Sequence, residues 1–397
     1  MDFKTLEELD RQYVMQTYAR FPVAFDRGSG ATLYDVAGKE YVDFSSGIGV
    51  NSLGYANETW VNAVAQQMVK LGHISNLYYT APYVELAQML AERAGMSNVF
   101  FANSGAEANE GMIKLARKYS FDKYGKGRGT ILTLRQSFHG RTITTLSATG
   151  QDVFHNYFFP FNDGFRYATP TMEGIAEVAG HDVCAVMLEL VQGEGGVHPM
   201  DRAFVHDLAV LCAERDWLLL IDEVQTGVGR TGTLFAYQQY GVLPDAVSFA
   251  KGIAGGLPFG GMMANEKCRS VLTAGTHATT FGGNPICAAA AKGVLEVMDE
   301  TFLAQVKEKG DYLRARIEGL ELPGVEGTRG LGLMIGVALS QDVENKTLVR
   351  KLLDNGLVTL TAGGNVLRLL PPLTITREEM DKGLSILQRT LQGSAEQ

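Results

Sequence analysis

The chain has 397 residues, of which 46% are hydrophobic and 20% are charged, and its formal net charge is −9. This acidic balance argues against a nucleic-acid-binding surface, which needs a basic patch, and no apolar run approaches the roughly 20 residues that span a bilayer. The amino terminus lacks a signal-peptide pattern, and the four cysteines lie far apart without a CxxC pair, which argues against a disulfide framework or a metal site. We therefore expect a cytoplasmic protein with about two or three domain-sized cores.

Between about residues 60 and 290, short apolar runs alternate with longer amphipathic segments. Near-continuous apolar strands separated by helices indicate a parallel sheet that is covered on both faces. The helical pattern after the first strand places one apolar stripe on Ala108, Met112, Leu115, Ala116 and Tyr119. The buried strands are predicted at 98–103, 129–134, 183–190, 217–222 and 245–250.

From about residue 300 the pattern changes to that of a smaller α+β unit. Helices are predicted at 311–320 and 376–391, and strands at 331–339 and 365–370. The sequence contains no internal repeat and no obvious linker that would separate this unit from the rest.

Ligands of α/β sheets bind at the carboxyl ends of the strands, so the residues that follow each predicted strand are candidates for chemistry. The first strand is followed by Ser104, Gly105 and Ala106 at a helix start. Ser104 and Glu107 match a capping box, which many helices use for stability alone. The alternative is that free N–H groups at this helix start hold a phosphate, with Gly105 allowing close approach.

Three further strand ends offer an aromatic ring, an acid and a lysine. The second strand is followed by Phe138 and Arg141, the third by a glycine-rich turn that carries Glu194, and the fifth by Lys251. A lysine at a strand end either extends into solvent or, when desolvated, forms a Schiff base with an aldehyde cofactor and shuttles protons.

Asp222 ends the fourth strand, where an unpaired buried charge would be costly. Alone, this acid could be a helix cap or a surface loop residue. Together with a phosphate site, a stacking ring and Lys251 at neighbouring strand ends, it is expected to pair with the protonated pyridine nitrogen of pyridoxal 5′-phosphate. That pair keeps the ring an electron sink, which carbanion chemistry at a substrate carbon requires.

Two patterns point elsewhere and are set aside. The segment 227–232 matches G-x-G-x-x-G, but residues 222–226 separate it from the strand, so the context of a dinucleotide-binding fingerprint is missing. The seven histidines show no metal-ligand spacing, and His139 is interpreted as a local hydrogen-bonding residue at most. No metal is expected.

The sequence resembles the class III (subgroup II) pyridoxal-phosphate aminotransferases over nearly its whole length. Nine motifs carry the resemblance in order, and such a series is specific for the family. They are YVDFSSGIGVNSLGY, SNLYYT, NSGAEANE, FHGRT, QGEGGV, DEVQTGVGRTG, FAKGIAGGLPFGG, HATTFGGNP and VLRLLPPLTI.

The resemblance implies roles for individual residues. Lys251 would carry the cofactor, and Asp222 would pair with its pyridine nitrogen. The remaining implied cofactor contacts are Ser104, Gly105 and Ala106 for the phosphate, Phe138 and Val224 for the two ring faces, Gln225 for the ring hydroxyl, and Thr280 for the phosphate in the neighbouring subunit.

For the substrates, the resemblance implies two arginines with different tasks. Arg141 would hold the α-carboxylate of an acylated ornithine, and Arg368 that of glutamate or 2-oxoglutarate. Glu194 would be the movable partner of Arg368, and Thr279 would lie near the substrate. A plain structural salt bridge at Arg368 is the alternative.

The resemblance also implies the fold and the assembly. We expect a large doubly wound domain at residues 56–295 and a smaller α+β domain formed by residues 1–55 and 296–397. A homodimer with active sites at the subunit interface is expected.

The reaction implied is transfer of the terminal amino group of N-acetylornithine to 2-oxoglutarate, a step of arginine biosynthesis. Ornithine, succinylornithine or another ω-amino acid as donor is the nearest alternative. A glutamate-semialdehyde mutase and a cofactor-binding regulator without activity are more distant ones, and an intact Lys251 and Asp222 argue against the regulator.

Overall fold

The computed structural model describes the backbone of residues 1–395. Its strands are β1 Phe25–Ser29, β2 Thr32–Asp35, β3 Glu40–Asp43, β4 Asn98–Ala102, β5 Thr130–Leu134, β6 Phe165–Ala168, β7 Val183–Leu188, β8 Val191–Gln192, β9 His198–Pro199, β10 Leu218–Asp222, β11 Ala246–Phe249, β12 Gly260–Ala264, β13 Val325–Leu331, β14 Met334–Leu339, β15 Leu357–Val358, β16 Leu360–Ala362 and β17 Val366–Leu369. Its α-helices are α1 Phe3–Tyr13, α2 Glu58–Met68, α3 Ala81–Ala94, α4 Gly105–Tyr124, α5 Ile143–Ala148, α6 Met172–Val178, α7 Arg202–Arg215, α8 Ala236–Tyr240, α9 Pro285–Val297, α10 Glu300–Gly319, α11 Asn345–Asp354 and α12 Arg377–Ala395.

The central sheet has seven strands in the order β4-β12-β11-β10-β7-β5-β6. All five buried strands predicted from the sequence are present in it, and only β12 runs against the others. The expectation of a doubly wound, mostly parallel sheet is therefore confirmed.

Two strands of this sheet, β6 and β12, were not predicted. β12 begins with Gly260 and Gly261, which are more typical of a turn than of a strand. Both glycines are needed where the neighbouring chain passes closely. A Cβ on Gly261 would lie 2.5 Å from the carbonyl oxygen of Phe100, and one on Gly260 would lie 2.8 Å from that of Ser104.

Alternating residues of β10 serve the two faces of the sheet. Leu219 and Ile221 pack into one hydrophobic cluster, and Leu218 and Leu220 pack into another. Because side chains of a strand point alternately to opposite faces, this division means that apolar side chains cover both faces of the sheet. This explains why the strand is apolar at every position until Asp222.

A second sheet joins the two ends of the chain. Its order is β1-β2-β3-β15, and β15 pairs with β3 in parallel through Leu357 and Val42. A third sheet, β13-β14-β17-β16, lies wholly in the carboxyl-terminal part. The first pairing is what a small domain built from both chain ends requires, and the boundaries at residues 55 and 295 remain predictions. No helix within the described residues is long and apolar enough to cross a membrane.

The segment 227–232 is a loop after β10 that joins three parts of the chain. Arg230 is buried, and its guanidinium donates to the carbonyl oxygens of Leu333 at 3.0 Å and Pro371 at 2.6 Å. It also donates to the hydroxyl of Ser46 at 3.4 Å, within a left-handed turn at Ser46–Gly49. This glycine-rich loop therefore serves as a structural junction and opens no dinucleotide-binding helix.

Candidate active site

A cavity of about 410 Å³ lies at the carboxyl ends of the central strands. Nine of the thirteen predicted site residues line it: Ser104, Gly105, Ala106, Phe138, Arg141, Asp222, Val224, Gln225 and Lys251. The other four, Glu194, Thr279, Thr280 and Arg368, are not part of its lining. Residues at the ends of four separate strands thus meet in one place, as expected for a ligand site of an α/β sheet.

Lys251 follows β11 and begins a 3-10 turn, Lys251–Ala254. Its backbone is left-handed, with φ of 45°, a conformation that is strained for a residue with a side chain. Desolvation lowers the pKa of the Lys251 ammonium below its ordinary value, and the neighbouring Glu194 carboxylate opposes that effect. A lysine with a lowered pKa provides more of the neutral amine, which is the form that condenses with an aldehyde.

Asp222 is buried and accepts several hydrogen bonds. Its Oδ2 accepts from Asn109 Nδ2 at 2.7 Å and faces His139 Nδ1 at 2.8 Å. Its Oδ1 accepts from the Val224 backbone N–H at 3.0 Å and faces the Ser248 hydroxyl at 3.4 Å. These contacts hold the carboxylate in place at the floor of the cavity.

Asn109 and His139 belong to the site although sequence reasoning gave neither a role in it. Both line the cavity and are buried. Within the described residues, Asn109 Oδ1 and His139 Nε2 have no hydrogen-bond partner. The helical stripe predicted on α4 omits Asn109, and His139 was interpreted only as a local hydrogen-bonding residue. No spacing in the sequence indicates that both meet Asp222.

The start of α4 is a capped helix end next to the cavity. Ser104 Oγ accepts from the Glu107 N–H at 3.2 Å, and the Glu107 carboxylate accepts from the Asn103 N–H at 2.5 Å. The Ser104 half of the predicted capping box is thus present, whereas Glu107 accepts from Asn103 and not from the Ser104 N–H. Ser104, Gly105 and Ala106 also line the cavity. A Cβ on Gly105 would lie 2.7 Å from Val224 Cγ1, so only glycine lets the helix start approach that side chain.

Arg141 lies at the cavity beside two aromatic rings. Its guanidinium carbon is 4.4 Å from the ring centroid of Phe154 and 5.4 Å from that of Phe138. Such cation–π contacts orient the guanidinium without neutralising it. Among the described residues, no carboxylate forms a salt bridge with Arg141, so its charge is free for an anionic ligand.

Arg368 lies on β17 and is paired with Glu194. Its Nη1 is 2.6 Å from Glu194 Oε1, and its Nη2 is 3.2 Å from Oε2, a two-point contact. The same Nη1 donates to Gln225 Oε1 at 3.1 Å. Burial has the largest single effect and raises the pKa of the Glu194 carboxyl, but the charge and hydrogen bonds of Arg368, together with Lys251 and Gln225, lower that pKa overall. The two arginines thus differ, since one is masked and the other is not.

Thr279 and Thr280 lie on a loop outside this cavity. Thr279 Oγ1 accepts from Asn103 Nδ2 at 3.2 Å and from the Gly282 N–H at 3.4 Å. Thr280 is exposed. Their roles toward a substrate and toward a neighbouring subunit's phosphate remain predictions.

Two buried glutamates adjoin the site, and the sequence predicted neither. Glu189 lines the cavity and accepts backbone hydrogen bonds, whereas Glu223 points away and accepts from Thr226 Oγ1 at 2.5 Å and the Tyr237 N–H at 2.8 Å. Burial raises the pKa of both carboxyls, that of Glu223 to about 7. Glu189 was missed because it lies inside the predicted strand 183–190 and not after its end.

The cavity fits pyridoxal 5′-phosphate in its size and in its chemistry. A capped helix start offers N–H groups to a phosphate, and the Phe138 ring and Val224 offer two apolar surfaces for a flat ring. A fixed carboxylate on Asp222 suits a pyridinium, and a desolvated amine on Lys251 suits an aldehyde. The unpartnered polar atoms of Asn109 and His139 also lie at this floor.

Comparisons with known proteins agree on one family. The family model for class-III aminotransferases matches residues 13–391. The acetylornithine aminotransferase of Haemophilus ducreyi is 49% identical over 388 residues, which are 97% of this chain and 98% of that protein.

Two solved structures are also similar. The N-acetylornithine aminotransferase from Stenotrophomonas maltophilia K279a has a TM-score of 0.84 at 36% identity, covering 98% of this chain and 99% of the other. The ornithine aminotransferase from Toxoplasma gondii, in a structure with partial occupancy of pyridoxal phosphate, has a TM-score of 0.95 at 31% identity, covering 100% and 95%.

Proposed function

Because this chain belongs to the class-III aminotransferases, we propose that it transfers the terminal amino group of N-acetylornithine to 2-oxoglutarate. The products are N-acetylglutamate 5-semialdehyde and glutamate, and the reaction is a step of arginine biosynthesis. Pyridoxal 5′-phosphate is the cofactor of the family. The substrates are small molecules.

The observation that carries this proposal is the unequal state of the two arginines. N-acetylornithine has one carboxylate, which Arg141 can hold while Glu194 covers Arg368. 2-Oxoglutarate has two carboxylates, so it needs a second cation, and Arg368 becomes available when Glu194 swings away. One site can therefore accept two substrates of different charge.

Individual residues of the chain would have distinct roles in this reaction. Bound pyridoxal phosphate supplies an electron sink for the charge that develops on the substrate carbon. Asp222 would hold the proton on the pyridine nitrogen, and Asn109 and His139 fix the position of that carboxylate. Phe138 and Val224 would contact the two faces of the ring, and the Gln225 amide would donate to the ring hydroxyl. Lys251 Nζ would act as the base that takes the proton from the substrate carbon bearing the amino group and, once protonated, as the acid that gives this proton back.

Free ornithine is the second candidate donor, because the similarity to the Toxoplasma gondii ornithine aminotransferase covers the whole chain. Ornithine differs by a charged α-amine where N-acetylornithine carries a neutral amide. Succinylornithine adds a carboxylate at that end. A mutase acting on glutamate semialdehyde would need no external 2-oxoglutarate.

A panel of amino donors at fixed 2-oxoglutarate tests the proposal. We expect kcat/KM for N-acetylornithine to exceed that for ornithine by at least about tenfold, because an uncompensated charge in a closed site weakens binding by more than 1.4 kcal/mol. Glutamate formation is the measurement, with succinylornithine and 4-aminobutyrate as comparison donors. A higher kcat/KM for ornithine would replace the proposed donor, and turnover without 2-oxoglutarate would favour the mutase.

We also propose a homodimer in which Thr280 contacts the cofactor phosphate of the neighbouring subunit. Asn76 Nδ2 donates to the carbonyl oxygens of Thr279 and Gly282, and thereby ties the segment 75–79 to the loop that carries Thr280. This surface is apolar and open, with Tyr79 99% and Leu77 86% exposed. A large apolar patch of this kind is typical of a protein interface.

The free thiols of all four cysteines suit a reducing compartment, and we place the enzyme in the cytoplasm.

Sedimentation tests the dimer. Leu77→Asp is expected to convert much of the protein to monomer and to lower activity in parallel, because a charge would be buried in the interface. Val210→Asp, on an exposed apolar position of α7, is the matched control and should remain dimeric and active. An active wild-type monomer at assay concentrations would contradict the proposal.

A further inference from the structure

Glu189 connects two parts of the site that are distant in sequence. Its Oε1 accepts from the Phe138 backbone N–H at 2.9 Å, and its Oε2 accepts from the Gly193 backbone N–H at 3.2 Å. Phe138 carries the ring that lies at the cofactor position, and Gly193 immediately precedes Glu194. One carboxylate thus joins the aromatic surface to the turn that carries the partner of Arg368.

Both contacts require an acceptor at each oxygen, which an ionised carboxylate supplies and an amide does not. The charged and titratable groups that face Glu189 are His139, Asp222 and Lys251. Burial and the Asp222 carboxylate disfavour ionisation of Glu189, whereas His139 and the two N–H donors favour it. The carboxylate is thus held by its two backbone partners rather than by a salt bridge within hydrogen-bond distance.

The Gly193 end of this link adjoins the Glu194–Arg368 pair. A Cβ on Gly193 would lie 2.4 Å from Gln225 Oε1, so the turn packs directly on the Gln225 amide. Gln225 in turn accepts from Arg368, and Glu194 pairs with the same guanidinium. The Gly193 N–H, the Gln225 amide and the Glu194–Arg368 pair therefore belong to one connected set of contacts.

We propose that Glu189 is a positioning residue that stabilises the masked state of Arg368 by anchoring the Gly193 end of the Glu194 turn. It thereby favours the single-carboxylate donor over the two-carboxylate acceptor. The inference rests on the proposed function only for the identity of those two substrates. The masking itself can be measured with an unreactive ligand.

Glu189→Gln is the test variant, because it keeps the shape of the side chain and one acceptor oxygen. The amide nitrogen then faces one backbone N–H, and the longer contact, to Gly193, is the one expected to be released. Losing one such hydrogen bond shifts the balance between masked and unmasked states by about five- to tenfold. Glu223→Gln is the matched control, because Glu223 is equally buried beside Asp222 but lies outside the cavity.

The first measurement uses glutarate, which has two carboxylates and no keto group, and follows the absorbance of the bound cofactor. We expect the glutarate dissociation constant to fall about five- to tenfold in Glu189→Gln and to stay within twofold in Glu223→Gln. Half-reaction rates should show the same shift, with kcat/KM for N-acetylornithine falling relative to that for 2-oxoglutarate.

A double variant separates positioning from general damage. If Glu189 acts through Glu194, then Glu189→Gln has no further effect on glutarate binding in a Glu194→Ala background. An additive effect there, an unchanged glutarate constant in the single variant, or an equal shift in Glu223→Gln would each overturn the proposal. Tighter glutarate binding in an enzyme that does not use N-acetylornithine would refute the proposed substrate and leave the role of Glu189 intact.

Discussion

An Asp222→Asn variant is expected to retain its cofactor and to lose about three orders of magnitude in kcat. The acid and a pyridinium in contact are worth about 4 kcal/mol at an effective dielectric constant near 20, and 1.36 kcal/mol corresponds to a tenfold change in rate. The amide carries no charge to hold the ring proton. It also places an N–H group against the donors of Asn109 and His139 or against the Val224 N–H, so the side chain cannot keep all its contacts.

Two controls separate this effect from loss of cofactor or of folding. Borohydride reduction followed by peptide mapping should still trap the cofactor on Lys251 in the Asp222→Asn variant. Glu223→Gln removes the adjacent buried carboxylate, which faces Thr226 and Tyr237, and should keep kcat within a few-fold of wild type. A wild-type kcat for Asp222→Asn would show that the acid does not act on the ring.

Replacing each of the two arginines should slow a different half-reaction. We expect Arg141→Ala to reduce the N-acetylornithine half-reaction about 10²- to 10³-fold, and Arg368→Ala to reduce the 2-oxoglutarate half-reaction by a similar factor. The magnitude follows from losing two hydrogen bonds to a charged group, each worth about 1.5–3 kcal/mol before partial compensation. The half-reaction with the other substrate should change much less in each case.

Single-turnover absorbance changes of the cofactor resolve the two halves separately. Glu194→Ala provides the companion variant, because it leaves Arg368 permanently available. That variant should raise reaction through the α-amino end of ornithine-type donors, whose carboxylate can then bind Arg368. Equal losses in both halves for either arginine would refute the division of labour, and would reduce the Glu194–Arg368 pair to a structural salt bridge.

The parts of the site that could be predicted are those in which a charged residue interrupts an apolar run. Asp222 and Lys251 end strands that are buried on both faces, so each required a partner at the strand end. The same logic failed for Glu189, which lies inside the predicted strand 183–190 and, among the described residues, has hydrogen-bond partners only in backbone N–H groups. Such partners cannot be identified from the sequence, because every residue except proline has a backbone N–H group.

The contacts of Asp222 could not be predicted for a different reason. Asn109 reaches it from a helix and His139 from a loop, and only the packing of α4 on the sheet brings them together. The strand β12 was not predicted because its two glycines are required by the close approach of β4 and of Ser104, which is a constraint of tertiary structure and not of local sequence. The local pattern therefore predicted five of the seven strands of the sheet and missed β6 as well as β12, whose glycines accommodate its neighbours.

The pairing of β3 with β15 has a consequence for how the chain is made. Lys39, just before β3, donates to the carbonyl oxygen of Asp354, which lies 315 positions later. At about 5–20 residues per second, translation needs roughly 15–60 s to cover that distance. During this interval the edge of β3 that β15 later covers is an open strand edge, which is a template for wrong pairing. Until β15 has been synthesised, that edge of β3 is therefore exposed to pairing with other nascent chains.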